Sequence, residues 1–157
     1  MRIAIIGSGY VGLVSAACFA DFGTEVVCVD RDASLVERLT AGDIHIHEPG
    51  LAEMVARNVD AGRLHFTTDL AGACAGRDAV FIAVGTPGRR DDGAADITNV
   101  HAAARLVAEA ADPETVVVTK STVPVGTGRE LAELLETRAP GKKLTVAANP
   151  EFLREGS

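Results

Sequence analysis

The chain has no tryptophan and a single tyrosine among its 157 residues, and aromatic side chains make up only 4% of it. A core without large rings must be assembled from Val, Ile, Leu and Ala, and an apolar content of 47% supplies them. Cysteine is scarce as well. Cys18, Cys28 and Cys74 lack the spacing of a metal site or a redox pair. Buried, reduced thiols are expected at Cys18 and Cys28, in keeping with the cytoplasm, and Cys74 has no base near it in sequence. Positive charge is in deficit: the formal net charge of −7 argues against nucleic acid and anionic membrane surfaces as partners. No apolar stretch approaches the length of a membrane span. The apolar run ahead of the first glycines is too short for a signal peptide. Repeats, low-complexity tracts and internal linkers are absent too, so the length reads as one domain.

What is present begins at residue 3. Ile3-Ala-Ile-Ile6 runs straight into Gly7-x-Gly9-x-x-Gly12, and Asp30 follows eighteen residues beyond Gly12. The four apolar residues read as a buried parallel strand, and Gly7 lets the chain turn sharply at its carboxyl end. Gly9 has no side chain to keep a pyrophosphate from the backbone, and Gly12 lets the next helix press against the strand. That helix, spanning about Tyr10 to Phe22, aims its free N–H groups and positive dipole end at the phosphates. A second strand, Glu25 to Val29, delivers Asp30 at its tip, at the spacing expected of the carboxylate that binds an adenosine ribose. Such a carboxylate repels a 2′-phosphate and accepts bonds from free ribose hydroxyls, so NAD is expected over NADP. Arg31 is the one dissenting residue, being able to hold a 2′-phosphate.

Hydrophobic runs alternate with helical stretches along the rest of the chain. The pattern predicts an α/β fold: a Rossmann-type, doubly wound parallel sheet of about six strands with helices on both faces. Helices are expected at Ala33–Thr40 and Leu51–Asp60, with a loop at 43–50 between them. Strands are expected at Leu64–Thr67, Ala79–Val84, Thr115–Thr119 and Leu144–Ala148. Asp69 is placed to cap a brief helix, and longer helices are expected at Ile97–Ala111 and Thr127–Thr137. The charged stretch Gly88–Gly93 reads as a solvated turn. His45 and His47 sit two apart beside Glu48 but lack a third ligand, so no metal is expected. Ligands of open parallel sheets bind beyond the carboxyl ends of the strands. The polar clusters there are Gly7–Gly12, Asp30, Gly85-Thr86-Pro87, Ser121–Gly126 and Asn149–Ser157. Hydroxyls at strand tips serve either a cofactor or ordinary turn chemistry.

Taken in order, these clusters resemble the amino-terminal part of the nucleotide-sugar 6-dehydrogenases, the family of UDP-glucose and GDP-mannose dehydrogenases. The matching stretches are Gly-Ser-Gly-Tyr-Val-Gly-Leu at 7–13, Glu-Pro-Gly-Leu at 48–51, Val-Gly-Thr-Pro at 84–87 and Asp-Gly-Ala-Ala-Asp at 92–96. Lys-Ser-Thr-Val-Pro-Val-Gly-Thr at 120–127 and Asn-Pro-Glu-Phe-Leu-Arg-Glu-Gly at 149–156 complete the set. The resemblance implies a two-step oxidation: the sugar C6 alcohol passes hydride to NAD, a cysteine traps the aldehyde, a second hydride transfer gives a thioester, and water releases the uronic acid. It implies that Gly7, Gly9, Tyr10, Val11, Gly12, Asp30, Thr86, Ser121, Thr122 and Glu155 bind the cofactor. Glu151 and Thr122 take the catalytic roles, positioning or activating water, and a base such as Glu151 works best when partly buried. Glu151, Phe152, Leu153, Arg154 and Glu155 form a wall of the sugar site.

Two departures from the family pattern stand out. A cation is often found five residues beyond the ribose carboxylate, and here that position is Leu35, with Arg31 and Arg38 the nearest substitutes. The nucleophilic cysteine and most of the nucleotide-sugar site belong to sequence beyond residue 157. Residues 1–157 are therefore expected to be a single NAD-binding Rossmann domain, inactive alone, its carboxyl end from Glu151 to Ser157 mobile or held in a non-productive path. The full-length protein is expected to be a homo-oligomer acting on a nucleotide sugar, UDP-glucose first and GDP-mannose or an N-acetylated sugar as alternatives. A stand-alone NAD-binding module and a β-hydroxyacid-type dehydrogenase are the competing readings.

Overall fold

The computed structural model describes residues 1–89 and 93–151. Its elements run β1 (Arg2–Ile6), α1 (Tyr10–Asp21), β2 (Glu25–Val29), α2 (Ala33–Thr40), α3 (Leu51–Asp60) and β3 (Leu64–Thr67). They continue with α4 (Leu70–Cys74), β4 (Ala79–Ile82), α5 (Thr98–Ala110), β5 (Val116–Thr119), α6 (Thr127–Arg138) and β6 (Thr145–Ala148). The strands form one parallel sheet in the order β3-β2-β1-β4-β5-β6. The expected Rossmann-type architecture is thus the observed one.

Side chains of a strand alternate between the two faces of its sheet, and β1 shows what each face does. Ala4 and Ile6 join Val80, Ile82 and Val117 beneath α5 and α6, where Val100, Ala104, Val107, Leu131 and Leu135 are buried. Ile3 and Ile5 join Val26 and Cys28 on the opposite face, against Leu13, Ala16, Ala17 and Ala20 of α1 and Val55 of α3. Small residues on α1 allow that helix to lie close to the sheet, so the aromatic-poor composition is met by close packing of aliphatic chains. Leu35, which stands where a cation was expected, packs against this second core.

The register fixes the site. Ile6 stands level with Val29 on one side and Ile82 on the other, and Thr119 and Ala148 continue the same line. Every loop that leaves a strand tip therefore starts from one edge of the sheet. The order reverses between β1, which pairs with β2, and β4, which carries the later strands, and a crevice is expected there.

Two expectations need correction. Strand β4 ends at Ile82, two residues short of Val84, because the Ile82 carbonyl receives the N–H groups of both Lys120 and Ser121. The chain then leaves the ladder and opens the crevice. Cys18 is only partly buried on α1 rather than enclosed, whereas Cys28 and Cys74 are buried.

Candidate functional site

The glycine loop is held by contacts that leave no room for side chains. Gly7 has φ +101°, and a Cβ there would lie 2.6 Å from the Ala83 carbonyl oxygen. A Cβ on Gly12 would lie 1.8 Å from the Gly7 carbonyl oxygen, so the start of α1 crosses the loop at backbone distance. A Cβ on Gly9 would meet nothing within 4 Å. Gly9 thus borders open space, and no side chain caps the helix that begins after it. This is the arrangement an anion needs at a helix start.

Asp30 stands beside that loop, half-buried at the tip of β2. Its Oδ2 accepts the Ser8 backbone N–H at 2.9 Å and the Ser8 hydroxyl at 2.7 Å, and its Oδ1 accepts the Asp32 N–H at 3.1 Å. Burial pushes the carboxyl up, but the Ser8 bonds, with the Asp32 and Arg31 backbone N–H groups, outweigh it and hold Asp30 below the usual aspartate value. A hollow of about 430 Å³ opens between these groups and α5. Gly7, Gly9, Asp30 and Arg31 line one side, and Leu70, Asn99 and Leu106 are among the residues of the other. Asn99 also donates to the Gly85 carbonyl at 3.3 Å, tying α5 to the loop after β4.

A smaller hollow of about 180 Å³ shares Gly9 and Ala83–Gly85 with the first and is lined further by Tyr10, Val11, Thr86, Lys120, Ser121 and Thr122. The Ser121 hydroxyl donates to the carbonyls of Val84 at 2.7 Å and Ile82 at 3.2 Å, so its one proton holds the tips of β4 and β5 together. Thr122 is exposed. Tyr10 donates its phenol to Glu48 Oε1 at 2.9 Å, which brings the 43–50 loop against the start of α1. Ile44 and Ile46 of that loop pack on the core while His45 and His47 are exposed. Burial alternates along this loop, which accounts for the two histidines standing two apart on its exposed side.

Glu151 follows β6. Its Oε2 lies 2.6 Å from the Lys120 ammonium, with the two side chains only 14% and 12% exposed. Lys120 also donates to Asn149 Oδ1 at 3.1 Å. Glu151 is thus partly buried beside a cation that pattern reading did not single out. At Glu151 the structure shows an ion pair with Lys120. Phe152, Leu153, Arg154 and Glu155, with the mobility expected through Ser157, lie outside the described residues, as do residues 90–92 of the charged turn.

The structure thus brings Gly7, Gly9 and Asp30 to one hollow and Gly9, Tyr10, Val11, Thr86, Ser121 and Thr122 to the other. Gly12 lines neither; its place is the helix crossing. Missing from the sequence reading were Ser8, Lys120 and the α5 wall. Ser8 is hidden in a variable position of the glycine motif, and the α5 residues carry no polar signature beyond Asn99.

The UDP-glucose/GDP-mannose dehydrogenase family, NAD binding domain, matches residues 1–157. The UDP-glucose 6-dehydrogenase of Rhizobium meliloti is 58% identical over 157 residues, covering 100% of this chain and 36% of that protein. Among solved structures, a UDP-glucose dehydrogenase from the hyperthermophilic archaeon Pyrobaculum islandicum superposes with a TM-score of 0.92 at 49% identity. A ternary complex of GDP-mannose dehydrogenase from Pseudomonas aeruginosa gives 0.91 at 36%. Each of these alignments covers 99% of this chain and 37% of the other. The chain spans about a third of the length of the curated relatives it matches.

Proposed function

The chain belongs to the UDP-glucose/GDP-mannose dehydrogenase family, as its NAD-binding domain, and from that premise we propose that it is the cofactor half of a nucleotide-sugar 6-dehydrogenase acting on UDP-glucose. UDP-glucose is favoured over GDP-mannose because the 58% relative and the 49% structure both carry its name, against 36% for the GDP-mannose enzyme. The observation that carries the reading is Asp30, anchored to the glycine loop beside the open face of Gly9.

These residues fit a dinucleotide. The space at Gly9, which a Cβ would enter without touching protein, admits a pyrophosphate against the first turn of α1. Asp30 meets the adenosine ribose, and the apolar wall with Leu106 suits a base. Tyr10, Val11, Thr86, Ser121 and Thr122 flank the nicotinamide end. Bound there, NAD supplies the hydride acceptor.

For the chemistry, Glu151 and Thr122 position water, while Phe152, Leu153, Arg154 and Glu155 wall the sugar, with Glu155 also reaching the cofactor; these roles follow the family resemblance. The nucleophilic thiol is assigned to sequence beyond this chain. Burial pushes the Cys28 thiol up to about 12 and Cys74 to about 11, and burial followed by the Asp21 charge raises Cys18. None of the three offers a thiolate near neutral pH, which supports that division. The whole protein is proposed to act in the cytoplasm as a homo-oligomer. Among the described residues, no helix is long and apolar enough to cross a membrane.

Calorimetric titration tests the cofactor half directly. NAD is expected to bind at least about tenfold more tightly than NADP, and Asp30→Ala should weaken NAD about tenfold. Equal binding of the two cofactors by the unmodified chain would overturn the assignment of Asp30.

A further inference from the structure

Ser8 occupies a variable position of the glycine motif, yet it is only 1% exposed. Both of its donors, the backbone N–H and the hydroxyl, converge on one oxygen of Asp30, at 2.9 and 2.7 Å. The hydroxyl is spent inside the protein and does not line either hollow. It therefore cannot serve a ligand by contact. What it does is restrict the carboxylate. Turning Asp30 about its side-chain bonds requires breaking two charge-assisted hydrogen bonds at once. With Oδ2 taken up by Ser8, Oδ1, which accepts the Asp32 N–H, keeps acceptor capacity for a ribose hydroxyl.

The consequence concerns the neighbour. Arg31 lines the same hollow as Asp30, and a guanidinium there is suited to a 2′-phosphate. A carboxylate free to swing aside would let that arginine act. We propose that Ser8 is a positioning residue for cofactor choice: by pinning Asp30 toward the ribose, it keeps the site selective for a free 2′-hydroxyl over a 2′-phosphate. The inference rests on the reading of Asp30 as the ribose carboxylate.

The test is a double-mutant cycle on the 157-residue chain, read by calorimetric binding of NAD and NADP. Ser8→Ala is expected to weaken NAD about fivefold, to leave NADP unchanged or tighter, and so to narrow the preference. In an Asp30→Ala background the same Ser8→Ala change should have no further effect on either cofactor. Thermal unfolding of each variant accompanies the titrations. Should Ser8→Ala fail to fold, Ser8→Cys, nearly the same size with a far weaker donor, takes its place in the cycle.

Three results would count against the proposal, and they are separable. NAD affinity within twofold of the unmodified chain would show that Asp30 needs no help from the hydroxyl. A loss that persists undiminished in the Asp30→Ala background would show that Ser8 shapes the loop and not the carboxylate. Undiminished NAD binding by Asp30→Ala itself would remove the ribose assignment, and the role of Ser8 with it.

Discussion

At one end of the cleft, Asp30 at the tip of an interior strand is fixed by two hydrogen bonds from Ser8 of the glycine loop and one from the Asp32 N–H, and at the other Glu151 leaves an edge strand and is met by the Lys120 ammonium. The first end has β1 and β3 on either side of β2 and a helix crossing at backbone contact. At the second, β6 pairs among the described residues only with β5, and its end residues Thr145 and Ala148 are exposed. Backbone constraints are short-ranged and tolerate nothing, so a binding element built on them is set before a ligand arrives. A side-chain ion pair sets a direction but yields more readily. The half assigned to the cofactor is thus held by backbone packing, and the half assigned to the reacting carbon by side-chain contacts.

That contrast can be broken most severely at the helix crossing. Gly12→Ala places a methyl against the Gly7 carbonyl, and it is expected to cost about 3 kcal/mol of stability in chemical denaturation, with NAD binding lost. Gly9→Ala separates fold from ligand. Its Cβ enters open space at an ordinary φ of −66°, so stability should hold or rise while NAD binding falls at least about tenfold. Loss of stability in Gly9→Ala would mean that the open face is not a ligand's space.

At the other end, Lys120→Met strips the cation from a pair that is nearly enclosed. A cost of about 1–3 kcal/mol is expected. Amide exchange should accelerate at Asn149, whose N–H donates to the Thr119 carbonyl, and stay slow at Gly7, whose N–H donates to Val29. Equal acceleration at both would erase the distinction between the two ends.

The smallest effect is a dependence on pH. The Asp30 carboxyl is held below its usual value in the folded chain, so its contribution to stability is complete above the unfolded value of about 3.9 and is lost as pH falls through the lower folded one. Denaturation of the unmodified chain and Asp30→Asn should differ at neutral pH and converge in acid. A gap that widens below about pH 4 would reverse the sign and contradict the bonding described.

Most of this architecture was legible in the residues because the signals are local. Periodicity gives α2, α3 and β3 their bounds, and Asp69 accepts the Gly72 N–H as the cap it was read to be. Strand β4 was overextended because Ala83 and Val84 are as apolar as the residues before them; only the competing donors from Lys120 and Ser121 end it. Side-chain partners at long range were not legible. Lys120 and Glu151 meet only because β5 and β6 run parallel and in register, and Ser8 finds Asp30 because the loop after β1 reaches the tip of β2. Ser121 was read as a cofactor contact, and its hydroxyl proton is shared between the Val84 and Ile82 carbonyls, partners that sequence pattern does not disclose.

The lone tyrosine has a practical consequence. With no tryptophan in the chain, Tyr10 is its sole emitter of appreciable ultraviolet fluorescence, and it sits in the lining of the smaller hollow with its phenol on Glu48. The emission of the whole molecule therefore reports on the surroundings of one side chain. Proton sharing with a carboxylate dims a phenol, so the brightness of this chain is a gauge of whether the 43–50 loop is seated on the first turn of α1, readable without any label.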